Sequence, residues 1–289
     1  MEQAKVDEYF RKGFVTLEGV FSPAEIDELS QVTDEFVDRS RSVTASDAVF
    51  DLDLAAGHSA ETPKLRRIKT PHKHHPTYRA ALEKPGLLDI VAALIGEDIR
   101  IHHSKLNAKA PGGGAAVEWH TDWGYYPHSN DDLLEVGVAI DDITLENGCL
   151  MIIPGTHREH AHDHHEDGVF VGAVPADSFD MNDAEPILIN KGDISIHHVR
   201  ALHGSAPNLS ARPRRLLLLG YAAVDAWPLM ALHQPKDWDA WNTEIIRGRP
   251  THDFRMENIP VRIPLPAPSA SGLFEIQENL KTSHYAGVS

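Results

Sequence analysis

Ile99-Arg100-Ile101-His102-His103-Ser104-Lys105-Leu106-Asn107-Ala108-Lys109 is where the chain changes character. An extended strand has a period of two, which sets His103, Lys105, Asn107 and Lys109 on one face. Further short apolar runs follow at 134–140, 150–153, 186–189, 193–199 and 215–224, separated by Gly, Pro, Asn and Asp. Short strands at this spacing, with no helices between them, predict an antiparallel sandwich or barrel.

Upstream of residue 98 the pattern is helical. Ser22-Pro23-Ala24-Glu25 has the form of a capping box with proline at the first helical position. Ile26, Leu29, Thr33, Phe36 and Val37 follow at helical spacing, so the helix is expected to run to about Arg39. Residues 85–95 predict a second helix with Leu87, Leu88, Val91, Leu94 and Ile95 on one face and Gly96 as its stop. The stretch 40–78 shows no period and is expected to be loop, the place for a mobile flap. Residues 225–289 are irregular, with Trp227, Trp238, Trp241 and many prolines. The expected organisation is one domain over 1–289: a mostly helical part at 1–97, a double-sheet β core at 98–224 and a wrapping segment at 225–289.

A chain of 289 residues can bury a sizeable core. Its 43 acidic and 27 basic residues leave a net charge of −16, a balance that disfavours nucleic acid and anionic membranes as partners. No apolar run approaches the ~20 residues of a membrane helix, and Met1 to Val20 lack an apolar signal core. The single cysteine, Cys149, rules out an internal disulfide framework and fits a reducing compartment, so a cytoplasmic protein is expected. The unusual figure is 19 histidines, which makes metal chemistry the first question.

Two histidines and one carboxylate on one face make a ferrous site with open positions. His-x-Asp/Glu supplies two of the three ligands, and the pattern occurs four times: at His120-Thr121-Asp122, His157-Arg158-Glu159, His164-His165-Glu166 and His165-Glu166-Asp167. Context selects the first, which lies between Val117-Glu118-Trp119 and Trp123-Gly124-Tyr125-Tyr126-Pro127. The others fall in a polar stretch that reads as exposed loop. His197, His198 and His203 compete for the distant ligand. His203 is favoured because Arg214 follows after a turn-rich segment and opens an apolar strand. An arginine fork there suits a dicarboxylate that also chelates the metal. The plain alternative makes Arg212, Arg214 and Arg215 a solvated basic cluster, and Arg212 shares the face of Arg214 if the chain stays extended.

These pieces resemble the phytanoyl-CoA dioxygenase (PhyH) family of Fe(II)/2-oxoglutarate oxygenases. The resemblance is carried by Trp119-His120-Thr121-Asp122, by Leu145-Glu146-Asn147-Gly148-Cys149-Leu150 with Ile153-Pro154-Gly155-Thr156-His157, and by His203-Gly204-Ser205 with Arg214. Gly13 to Phe21 resembles the family's opening. The resemblance implies a double-stranded β-helix (jelly-roll, cupin-like) core with flanking helices. It implies Fe(II), 2-oxoglutarate and O2, with His120, Asp122 and His203 as iron ligands and Arg214 on the distal carboxylate of 2-oxoglutarate. Lys105, Asn107 and Ser205 become further co-substrate candidates. Trp123, Tyr126, His157, His164 and His165 are candidates for the substrate mouth.

The implied reaction is hydroxylation of an unactivated C–H in a small molecule or secondary metabolite, releasing succinate and CO2. An aspartate at position 122 leaves no coordination site for halide, which favours hydroxylation over halogenation. Two other readings stand beside this one. A cupin-like metalloenzyme without a keto acid would give Arg214 no role. A non-catalytic metal or small-molecule binding protein would not need the full His, Asp, His set.

Overall fold

The computed structural model of the protein describes residues 1–231, 237–266 and 272–288. In chain order the first half holds α1 (Gln3–Lys12), β1 (Phe14–Leu17), α2 (Pro23–Ser40), β2 (Phe50–Leu52), β3 (Leu65–Lys69), α3 (Pro76–Leu82), α4 (Pro85–Ile95), β4 (Ile99–Lys109), β5 (Val117–His120) and β6 (Leu133–Ala139). The second half holds β7 (Leu150–Ile152), β8 (His165–Glu166), β9 (Val169–Phe170), β10 (Glu185–Ile187), β11 (Ile194–His198), β12 (His203–Ser205), β13 (Arg214–Ala223), α5 (Trp238–Asn242), β14 (Ile245–Arg247) and α6 (Leu273–Gln277).

The helices form where their caps dictate. The Ser22 hydroxyl accepts from the Glu25 amide, and the Glu25 carboxylate accepts from the Ser22 amide at 2.8 Å, closing the capping box of α2. α4 spans the expected residues and ends at Gly96, whose φ of 91° favours glycine.

The large sheet runs β1-β11-β6-β13-β4-β3-β2, with β14 pairing on β4. The small sheet runs β10-β7-β12-β5. Alternation along each strand sorts its side chains. Leu217 and Leu219 of β13, Val136 and Val138 of β6, and Ile194 and Ile196 of β11 join one core with Ile26, Leu29 and Phe36 of α2 and Leu87 and Val91 of α4. The alternate residues, among them Lys105, Arg214 and Leu216, turn to the other face and line a cavity. Val117, Leu150 and His203 of the small sheet line the same cavity, so it lies between the sheets.

The stretch 40–78, expected as loop, instead adds β2 and β3 to the large sheet, with Arg67 opposite Asn107 and Lys69 opposite Lys105. Strands of three and five residues are too short to show a period, and they are held by cross-strand ladders, β3 on β4 and β2 on β3. The wrapping segment 225–289 contributes α5, β14 and α6; its residues 232–236, 267–271 and 289 lie outside the described residues. No helix among the described residues is long and apolar enough to cross a membrane.

Leu217 is fully enclosed between sheet and helices. Leu217→Ala is expected to reduce the unfolding free energy by about 2–5 kcal/mol, read by urea denaturation; a loss well under ~1 kcal/mol would mean that this face is not the packed core.

Candidate active site

His120 is the last residue of β5 and His203 the first of β12, and the two are direct partners across the antiparallel ladder. Asp122 follows in a single tight turn, Asp122–Gly124. One ligand atom from each of His120, Asp122 and His203 lies within 4.8 Å of the others. All three residues are buried.

The imidazoles are oriented for a metal. His120 Nδ1 donates to the Glu118 carbonyl at 2.7 Å, and His203 Nδ1 donates to the Ala201 carbonyl at 2.9 Å. A carbonyl only accepts, so each ring carries its proton on Nδ1 and keeps an Nε2 lone pair free. Burial pushes His120 down to about 4 and His203 well below its ordinary value, so both are neutral near pH 7. Burial opposes the charge on Asp122, but Lys105 at 3.7 Å and the rings of His197 and His203 outweigh it and hold the carboxylate well below its ordinary pKa. Two neutral imidazoles and one carboxylate on one face are a donor set that fits ferrous iron.

Of the competing histidines, His203 is the one that converges. His197 sits on the facing sheet with Nε2 3.4 Å from Asp122 Oδ2 and supports the carboxylate from behind. A second His/Glu cluster, His102-His103-Glu135, also meets within 4.8 Å. Its members already contact one another: His103 Nε2 lies 2.8 Å from Glu135, and His103 Nδ1 lies 2.6 Å from His102 Nδ1.

Beyond the triad lies a pair of buried cations. Arg214 and Lys109 are register partners on β13 and β4. Arg214 Nη2 donates to the Gly148 carbonyl at 2.6 Å, while its buried Nε has no partner. Burial pushes it down to about 10. Lys109 Nζ donates to Ser205 Oγ at 2.8 Å and to the carbonyls of Ser205 and Ala206. Burial, then the neighbouring Arg214, drives the lysine well below its ordinary value. Among the described residues neither cation has a carboxylate partner, which is the signature of a site built for an anion. Gly148 makes the approach possible: at φ 76°, a Cβ there would sit 2.3 Å from the Ala206 carbonyl.

The model of the phytanoyl-CoA dioxygenase (PhyH) family matches residues 9–216. The chain belongs to this family. It is 33% identical over 285 residues to a probable alpha-ketoglutarate-dependent hypophosphite dioxygenase of Stutzerimonas stutzeri, covering 96% of this chain and 98% of that one. It is 28% identical to a methylphosphonate hydroxylase of Gimesia maris, over 78% of this chain and 82% of that one. The crystal structure of EctD from S. alaskensis with 2-oxoglutarate and 5-hydroxyectoine superposes with a TM-score of 0.67 at 21% identity, covering 90% of this chain and 88% of the other. That likeness establishes the fold, a double-stranded β-helix. The protein is thus a dioxygenase that depends on iron and 2-oxoglutarate and acts on a small molecule.

Within this dioxygenase the expected residues fall into three groups. His120, Asp122, His203, Lys105, Asn107, Ser205 and Arg214 all line the one cavity. Arg212 is exposed, so the register places Arg214 inside. Tyr126 stands behind the triad, with its hydroxyl 3.4 Å from Glu135 and its ionisation suppressed by burial and by Asp122. Of the residues expected at the substrate mouth, Trp123, Tyr126, His157, His164 and His165 are not among those that line this cavity. Trp123 packs with Leu133, Val199 and Ala222 and donates to the Pro260 carbonyl. His157 sits under Gly13 and bonds the Phe10 carbonyl, anchoring α1. His165 pairs with Asp163 and packs on Phe170. Aromatic and imidazole rings suit an apolar core as well as a ligand, and sequence context does not separate the two uses.

The sequence reading assigned Lys109 no role and expected His164 at the substrate mouth, not beside the triad. Lys109 shares the face of Lys105, and that period was the available signal. His164 Nε2 accepts the Thr121 amide at 2.9 Å and so fixes the link between His120 and Asp122. Its ring fills the space above Gly124. No local pattern announces that contact.

Burial pushes His164 and His198 down to about 3 and His72, His120 and His128 to about 4. Unfolded, such rings protonate near pH 6.5, so the unfolded chain binds more protons in the acid range. Stability is therefore full above about pH 6.5 and is lost as pH falls toward about 4. Metal-free protein is expected to show a clearly lower Tm at pH 5 than at pH 7.5 by calorimetry. An unchanged Tm would contradict these buried neutral rings.

Proposed function

We propose that His120, Asp122 and His203 hold the ferrous iron, and that Arg214, with Lys109 and Ser205 beside it, holds the distal carboxylate of 2-oxoglutarate. The observation that carries this reading is the co-location, in one cavity, of a metal-ready triad and a buried guanidinium whose Nε has no partner. A keto acid that chelates through one end and is gripped by its far carboxylate needs both. A metalloenzyme without a keto acid would leave Arg214 and Lys109 buried with nothing to neutralise them.

Iron and 2-oxoglutarate, when bound, would with O2 supply the oxidising chemistry, one oxygen atom going to succinate as CO2 leaves and the other to the hydroxylated substrate. The chain supplies position and dryness. The Glu118 and Ala201 carbonyls hold the two imidazoles in the ligating tautomer. His197 and Lys105 hold Asp122 ionised and aimed. Val117, Leu150, Leu216 and Leu218 line the cavity with apolar surface that excludes water. Asn107 accepts from Arg67 Nε at 3.0 Å, so its amide oxygen is engaged by a neighbour in the cavity wall.

We take the chain as one catalytic domain, because Arg67, Arg214 and Phe274, drawn from its three parts, line the same cavity. We place it in the cytoplasm on the strength of its single, free cysteine, and propose no nucleic-acid partner on the strength of its −16 charge. The relatives named above make hypophosphite and methylphosphonate the first substrates to try, with ectoine as a third.

Succinate release against that panel tests the reading. Asp122→Ala is expected to abolish hydroxylation, and coupled succinate formation at the wild-type rate in that variant would refute the ligand assignment. Arg214→Ala is expected to raise KM for 2-oxoglutarate by about 10–100-fold while leaving metal affinity nearly unchanged. An unaltered KM would favour a metalloenzyme without the keto acid.

A further inference from the structure

The cavity has a second cationic end, built by β3 and the C-terminal helix. Arg66 and Arg67 are adjacent on β3, and both line the cavity. Arg66 is neutralised: its guanidinium lies 3.1 Å from buried Asp51 and 3.8 Å from Glu278. Arg67 is not. Its Nε donates to the neutral Asn107 amide oxygen, and no carboxylate lies within ion-pair distance among the described residues. Burial lowers its pKa, against weaker support from Asp51, Tyr125, Asp122 and Tyr126, and it lines the same cavity as Asp122.

The C-terminal helix shields this end from water. Phe274 of α6 is buried, with the Arg66 and Arg67 guanidinium groups 4.9 and 5.3 Å from its ring centroid. Gln277 pins the helix by donating to the Gly172 carbonyl at 3.0 Å and accepting the Glu118 amide at 3.1 Å. This helix lies beyond the family match at residues 9–216.

The charges in the cavity do not balance. With Arg66 paired off, Arg67, Lys105, Lys109 and Arg214 line it against one carboxylate, Asp122. Ferrous iron and 2-oxoglutarate carry opposite charges of equal size, so loading them leaves the positive excess in place. The chain as a whole is strongly acidic, which makes a local positive excess a built feature.

We propose that Arg67 binds the substrate, and that the substrate is a compact oxyanion gripped by the Arg67 fork, flanked by Lys105 and sealed by Phe274. This deepens the reading above and rests on its assignment of Arg214 to the co-substrate. A planar guanidinium offers two parallel donors to a phosphorus oxyanion or a carboxylate. The alkyl or hydrogen-bearing part of such a substrate would be left facing the triad.

Calorimetric titration of the anaerobic enzyme, loaded with ferrous iron and 2-oxoglutarate, tests this with ethylphosphonate, propionate and uncharged propionamide as probes. At least one anion is expected to bind saturably and propionamide not at all. Arg67→Gln is expected to weaken that anion by ~10-fold or more while 2-oxoglutarate binding, read from its visible absorption band with iron, stays within about two-fold. Arg67→Lys keeps the charge without the fork and is expected to fall between; it decides the matter should the glutamine variant fold poorly. The anion preferred separates a phosphorus oxyanion from a carboxylate, and either supports the proposal. Failure of both anions to bind wild type overturns it, as does loss of 2-oxoglutarate binding with anion binding intact in Arg67→Lys. A wild type that binds the anion through Arg67 yet forms no band with 2-oxoglutarate would instead sink the co-substrate reading.

Discussion

The pairing of His203 with His120 across two short strands is the constraint on which the active site depends. Eighty-odd residues separate the two histidines in the chain, and only the antiparallel ladder of the small sheet brings them together. The ladder alone is not sufficient. Each ring is turned by a backbone carbonyl two residues before it, so the fold sets the tautomer as well as the position. The third member of the triad needs no long-range contact, because Asp122 is two residues from His120 and His164 fixes the link between them.

Around this centre the protein sustains an arrangement that is unfavourable without its ligands. Arg214 and Lys109 are buried side by side with carbonyls and a hydroxyl for partners. Desolvated cations of this kind are tolerated when a bound anion neutralises them. The helices and the outer face of the large sheet bury the aliphatic core that offsets this penalty. One sheet therefore has two duties, divided by its alternation: apolar residues toward the helices, polar residues toward the cavity.

The C-terminal segment joins the centre to the periphery. Glu118 lends its carbonyl to His120, its amide to Gln277, and its carboxylate to Ser283 and His284. The same glutamate thus orients an imidazole of the triad and anchors the helix that covers Arg67. Displacing that helix would be felt at the metal centre.

Much of this was legible in the sequence. The capping box of α2, the apolar face of α4 and the alternation of β4 are local patterns, and local patterns follow from backbone geometry. The His120-Thr121-Asp122 motif was legible for the same reason, whereas the period put Arg212 and Arg214 on one face and the structure chose Arg214. Tertiary structure decided the rest. It made β2 and β3 out of a stretch without period, and so brought Arg67 to the cavity. It gave His157, His165 and Trp123 packing and hydrogen-bonding partners away from the cavity, and made His164 a brace for the link between His120 and Asp122. A ring or a guanidinium acquires its role from what faces it across space. Those neighbours lie tens to hundreds of residues away in the chain, where no local period can register them.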